Sequence, residues 1–196
     1  MTLGPVRASC SFVLGIVMLV ISAHSKGDAR EELSDPIRFT DLEGAKIDAK
    51  FVSEQVVQRG GLESPVTVEE DWSIRIEVRG KIAWDYRPTS HTVTGPRTGR
   101  TNSFRASVGV AWDTGTGQAI WQFSDGKLTF IRSYESGAFR TVFAFAYDGN
   151  NLTCGASKSI FREQGKTETR VNSIITGDPI TILDWKLVSS NCRLTR

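Results

Sequence analysis

Along much of this chain apolar residues alternate with polar ones in short runs separated by glycine turns. A period of two is the signature of an extended strand with one buried face, and it confines the chain to β architectures. Trp72, Ile74, Ile76 and Val78 alternate with Ser73, Arg75 and Glu77, Arg79-Gly80 offers a turn, and Ile82, Trp84 and Tyr86 continue the alternation. This reads as a β-hairpin. Ile120 to Phe123, a turn at Ser124-Asp125-Gly126, and Leu128 with Phe130 repeat the plan. The shared order Gly-Lys-apolar-x-aromatic at Gly80 and Gly126 marks a common local solution without making a repeat protein.

Further along, Phe139, Thr141, Phe143, Phe145 and Tyr147 share one strand face, and Val142, Ala144 and Ala146 share the other. Such a strand suits a central position covered on both sides, or the wall of a barrel. Asp148-Gly149-Asn150-Asn151 is a turn, and Leu152 to Ala156 returns as a strand. Ile174-Ile175 and Ile180 to Leu183 read as two short strands around Gly177-Asp178-Pro179. Ile47, Ala49 and Phe51 alternate as in an early strand, while Phe51, Val52, Gln55 and Val56 fit a helical face; the strand is the favoured reading. The expectation is an all-β, mainly antiparallel domain, a barrel or a sandwich of about six to nine short strands.

Composition agrees with one ordinary globular domain: 196 residues, 39% hydrophobic, 23% charged, and a net charge of +2. These values argue against general disorder, a multi-pass membrane protein and a polybasic nucleic-acid binder. The N-terminus is different in kind. Arg7 is followed by an apolar run from Phe12 to Ile21, too short for a membrane span of roughly 20 residues, and then by Ala23-His24-Ser25. That is the layout of a signal peptide over residues 1–25, with cleavage after Ser25 and no membrane anchor left behind. Cys10 stands at the start of the run, where it does not serve as a lipoprotein cysteine. Residues 26–40 read as a flexible, charged lead-in, and 41–196 as the β domain. The protein is expected to be exported, to a periplasm or the exterior. Cleavage leaves two cysteines, Cys154 and Cys192, and an oxidising compartment favours a disulfide between them.

Chemistry is harder to find. Val110-Ala111-Trp112-Asp113-Thr114-Gly115 resembles the Asp-Thr-Gly loop of aspartic proteases, where two such loops share a proton. One copy is present, and Asp-x-Gly is also a favoured hairpin turn. His91 is the one histidine of the mature chain and lies in a polar stretch read as an exposed loop, with no glycine-flanked serine nearby. No metal-ligand spacing is visible, and neither a metal nor a cofactor is expected.

Two features suit binding. Tyr86 to Trp112 carries Arg87, Arg97, Arg100 and Arg105 without any Asp or Glu, a cationic loop able to hold phosphate, sulfate or uronate groups. Trp84, Phe143 and Phe145 supply aromatic surface for a pocket. The expected function is a non-catalytic binding module for an apolar, ring-shaped or anionic ligand. The alternatives are a structural or interaction component of the envelope or exterior, partnered by a polymer or a protein, and more remotely a hydrolase of the aspartic-protease type.

Overall fold

The structure, a computed structural model, describes residues 36–196 apart from Thr116 and Ile174. The expected signal peptide and the first part of the lead-in, to residue 35, lie outside the described residues. A 3-10 turn, Phe39–Leu42, precedes β1 (Lys46–Arg59), β2 (Leu62–Ile76), β3 (Lys81–Thr92), β4 (Gly95–Thr98), β5 (Asn102–Ser107) and β6 (Ala111–Asp113). There follow β7 (Gln118–Ser124), β8 (Lys127–Tyr134), β9 (Gly137–Asp148), β10 (Asn151–Arg162), β11 (Thr169–Asn172) and β12 (Pro179–Thr195). Setting aside β4, β6 and β11, each of three or four residues, leaves nine strands. The domain is therefore antiparallel β almost throughout.

Two of the hairpins close on the residues the alternation singled out. Arg79 (φ 60°) and Gly80 (φ 72°) join β2 to β3, and Asp125 (φ 48°) and Gly126 (φ 65°) join β7 to β8. Both central residues are left-handed in each case, the backbone that matches the right-handed twist of the flanking strands.

The strands form two sheets. A seven-stranded sheet runs β11-β12-β1-β2-β3-β4, with β5 also paired to β3, and a five-stranded sheet runs β10-β9-β8-β7-β6. They meet along two seams. At the first, the Cys154–Cys192 disulfide ties β10 to β12 with its Cα atoms 5.7 Å apart, and Ser190 Oγ donates to the Ala156 carbonyl at 2.5 Å. At the second, Val108 bridges in parallel to Trp121, and the Gly109 amide donates to the Trp121 carbonyl at 2.7 Å. The result is a barrel-like enclosure. The disulfide spans 38 residues and stabilises the fold by about 4 kcal/mol in the chain-entropy account.

Curvature comes from the long strands. The β1–β12 ladder shifts register between Val52 and Ser53 and again between Val56 and Val57. Each irregularity adds twist and bend, which lets a 14-residue and a 17-residue strand wrap instead of lying flat.

Side chains from both sheets fill one half of the enclosure. Phe51, Trp72, Ile74 and Trp84 come from one sheet and Trp121, Leu128 and Phe143 from the other, and all are buried. Trp72 meets Trp121 edge-on with ring centroids 6.4 Å apart, and Phe51 meets Phe143 at 6.0 Å, the offset geometry that aromatic quadrupoles favour. The 3-10 turn closes this end. Leu42 is fully buried, Phe39 packs edge-on against Phe123 at 5.5 Å, and Gly44 and Ala45 exchange hydrogen bonds with Ile76.

Several local expectations change. The lead-in contributes to the core, because Ile37 and Phe39 pack against it. The segment from Ile180 onward is one long strand, β12, since pairing with β1 resumes after each register shift, at Leu183 and Val188, and carries it to Cys192 and beyond. In β9 Thr141, Phe143 and Phe145 are buried, while on the other face Val142 and Ala144 are partly buried and Arg140 and Ala146 exposed, so one face is covered more fully, as in a barrel wall. His91 lies on β3 opposite Thr67 and not in a loop.

Phe143→Ala empties a fully buried site between the sheets. Denaturant unfolding should show a loss of about 3 to 5 kcal/mol at an unchanged slope.

Candidate functional site

The alternation along β2 places Val68, Glu70, Trp72, Ile74 and Ile76 on the inner face. Glu70 is thus a carboxylate in a core register, with its side chain only 7% exposed. The same parity carries Tyr86 inward beyond Ile82 and Trp84 on β3, Arg132 and Tyr134 beyond Leu128 and Phe130 on β8, and Lys158 beyond Cys154 and Ala156 on β10. Each strand leads from apolar to polar inner positions in the same direction. Above the aromatic core the interior consequently opens into a cavity of about 700 Å³.

At its polar centre Glu70 joins the two sheets. Tyr86 Oη donates to Glu70 Oε1 at 2.8 Å, and Lys158 Nζ donates to Glu70 Oε2. Lys158 is only 10% exposed, and its ammonium also stands 5.1 Å from the centroid of the Phe139 ring. The Arg132 guanidinium lies 5.3 Å from the ring of Tyr134. Trp72, Trp84, Phe104, Trp112 and Phe130 complete an aromatic wall. Trp84 stacks on Phe104 at 5.2 Å and 24°, although Phe104 is partly exposed, so this part of the wall reaches the surface.

Burial raises the Tyr86 hydroxyl well above the ordinary tyrosine range, and the Glu70 charge beside it adds to the effect. Tyr134 is pushed up to about 12, again chiefly by burial, with the nearby Arg132 charge opposing the shift. Both phenols therefore keep their protons at neutral pH, and Tyr86 donates its own to Glu70.

The mouth mixes apolar side chains with polar ones, among them Arg59, Ser64, Thr94 and Thr176. Val57, Leu62, Val66 and Val93 line the cavity near the β1–β2 and β3–β4 turns, together with Ile175 and Ile180 from the β11–β12 connection. Leu62 is 77% exposed and Val93 98% exposed.

The sequence-selected residues separate into distinct places. Trp84 and Arg97 line the cavity. Phe143 and Phe145 are buried in the packed half instead and do not line it, because their positions on β9 fall below Thr141, the first cavity-lining residue from that end. Arg87 pairs with Asp71 at 3.1 Å, Arg105 approaches Glu77 at 4.0 Å, and Arg100 is exposed between β4 and β5. The four arginines do not converge on one point, since alternate positions and separate strands send them to different faces. Asp113-Thr114-Gly115 turns from β6 into β7, with Asp113 accepting the Gly115 amide at 2.7 Å and Thr114 Oγ1 donating to the Gly117 carbonyl at 2.9 Å. His91 Nε2 stands 3.4 Å from Glu69 on a partly exposed face. Sequence reasoning missed Glu70, Tyr86, Arg132, Tyr134 and Lys158 as a group. Extending the Trp72-Ile74-Ile76 alternation back by two residues would have marked Glu70.

Comparison with protein-family models, curated proteins and solved structures gives no match to this chain.

Removing one partner of a buried ion pair leaves an uncompensated charge. Glu70→Ala should accordingly lower unfolding free energy by about 3 to 5 kcal/mol, measured by denaturant titration at pH 7.

The raised Tyr134 hydroxyl contributes to the alkaline limb of stability. A phenol whose folded value is raised contributes stability that is complete below its unfolded value of about 10 and is lost as pH rises through the folded value. For Tyr134 that window runs from about 10 to about 12. Absorbance at the tyrosinate band should show a late step near the top of this window that disappears in Tyr134→Phe.

Proposed function

We propose that the protein is an exported binding module that holds a small molecule with an apolar or ring-shaped body inside its β enclosure. The observation that carries this reading is the hollow, aromatic-walled half of the interior. A cavity of about 700 Å³ lies within the range of about 300 to 1,000 Å³ typical of small-molecule sites, and such sites combine apolar walls with a few placed polar groups. Wide aromatic faces from Trp72, Trp84, Trp112 and Phe130 offer stacking surface to a ring and dispersion contacts to a chain. The polar cluster inside supplies orientation. Export is supported by the N-terminal layout of Arg7 and the Phe12 to Ile21 run, and by the disulfide, a bond that persists in oxidising compartments.

Nile red, a neutral apolar dye, tests the reading without presupposing the natural ligand. It should bind with a stoichiometry of one, brighten, and quench tryptophan emission. Val68 is a buried residue on the cavity wall, and Val68→Trp should weaken that binding at least tenfold while the β spectrum is retained. Absence of saturable binding, or binding untouched by Val68→Trp, would remove the proposal.

A further inference from the structure

Phe104 faces the interior and yet is exposed. It stands directly opposite Trp84 in the β3–β5 ladder, and residues opposite one another share a face of the sheet, so its ring lies on the side of the cavity that both residues line. Trp84 is 4% exposed, whereas Phe104 is 43% exposed. An inward register with that much exposure marks a place where the wall is open. Resting on the binding reading above, we propose that the cavity has a side window between β5 and β6, and that this window holds a flat aromatic ring system of the ligand, with Phe104 and Trp112 as the residues that select it.

Strand pairing explains the opening. β5 pairs with β3 and β6 with β7, and among the described residues no ladder joins β5 to β6. Backbone closes the seam nearer the packed half, where Val108 bridges to Trp121 and the Gly109 amide donates to the Trp121 carbonyl. Ala119, two residues from Trp121 along β7 and further toward the open half, is the partner of Trp112. From that level onward side chains border the seam in place of a ladder.

Those side chains are aromatic. Trp84 lies 5.2 Å from Phe104 at 24° and 5.9 Å from Trp112 at 51°, Trp112 lies 6.1 Å from Phe130, and Phe130 lies 4.9 Å from Trp121. The rings form a continuous row from the exposed Phe104 to the packed core, and Trp112 is itself partly exposed. Such a row offers dispersion contacts to any apolar body. Its quadrupoles add an offset-stacked or edge-on contact that an aromatic ring returns and a saturated ring does not. A flat body also suits a slot bordered by two strand edges, and a puckered body on the same carbon skeleton is thicker. Neither contact draws on Glu70, Tyr86 or Lys158, which are engaged with one another deeper in the cavity.

The experiment compares 2-naphthalenemethanol with its decahydro counterpart as competitors of bound Nile red at pH 7. The two share a skeleton and a primary alcohol and differ in flatness and π character. The flat alcohol should displace the dye at least tenfold more effectively. Phe104→Leu keeps an apolar side chain without the ring, and there the preference should fall at least threefold while displacement by the saturated alcohol is unaffected. Trp112→Leu should act in the same direction; should it fail to fold, Phe104→Leu decides. Amide signals of Asn102–Ser107 and Ala111–Asp113 should shift on binding of the flat alcohol in two-dimensional NMR spectra. Equal displacement by the two alcohols would overturn the aromatic window and leave the binding reading standing. A preference untouched by Phe104→Leu, or shifts confined to the β1–β2 and β3–β4 turns, would overturn it as well, placing the ring at the end of the cavity instead. Failure of Nile red itself to bind would remove the binding reading and this inference together.

Discussion

Glu70 and Lys158 reach each other across the interior from opposite sheets, and the division of the protein into a packed half and a hollow half turns on that contact. Two charges so nearly enclosed are costly to desolvate, and the Tyr86 hydrogen bond to the second carboxylate oxygen compensates part of that cost. A pair of leucines in the same positions would extend the aromatic core toward the mouth. An ion pair does not attract further apolar packing around itself. It holds the two walls at a defined separation and leaves the space beyond it open.

That arrangement requires sheets that stay in place without a continuous core between them. The two seams provide this, each in a different way. At one, a covalent link and the Ser190 hydrogen bond hold β10 against β12; at the other, the Val108–Trp121 bridge is made by backbone whose side chain, Trp121, is itself fully buried. Packing at the closed end, led by Leu42, Trp72, Trp121 and Phe143, supplies the hydrophobic stabilisation for the whole domain. The open end can then expose Leu62 and Val93 and keep polar side chains inside, because its stability derives from the other half. A cavity walled by strands in this way is held by rigid neighbours.

Much of the fold was legible from alternation and turn chemistry. Arg79-Gly80 and Asp125-Gly126 marked hairpins because paired left-handed positions call for such residues, and Trp72, Ile74, Trp84, Trp121 and Phe143 marked the inner face because strand side chains alternate with a period of two. The candidate site was far less legible. Glu70 reads as one member of an acidic triplet, Glu69-Glu70-Asp71, and Lys158 as one basic residue among the serines of β10. Composition alone treats both as solvent-facing, and only parity with distant apolar residues on the same strand assigns them inward. Ile37 and Phe39 were hidden for the opposite reason, being apolar residues at the edge of a charged segment whose packing partner, Phe123, is remote in sequence.

By itself the sequence determined that the domain is antiparallel β, where its hairpins turn and which faces of the strands are apolar. Those are local properties, set by backbone preference and by the period of side chains along one strand. Tertiary structure alone decided that the sheets close along two seams, that Phe143 fills a core while Trp84 borders a cavity, and that Glu70, Tyr86, Arg132, Tyr134 and Lys158 share one interior. The last of these depends on strand order and register between residues up to 88 positions apart, as for Glu70 and Lys158, and no local pattern encodes a distance across a barrel.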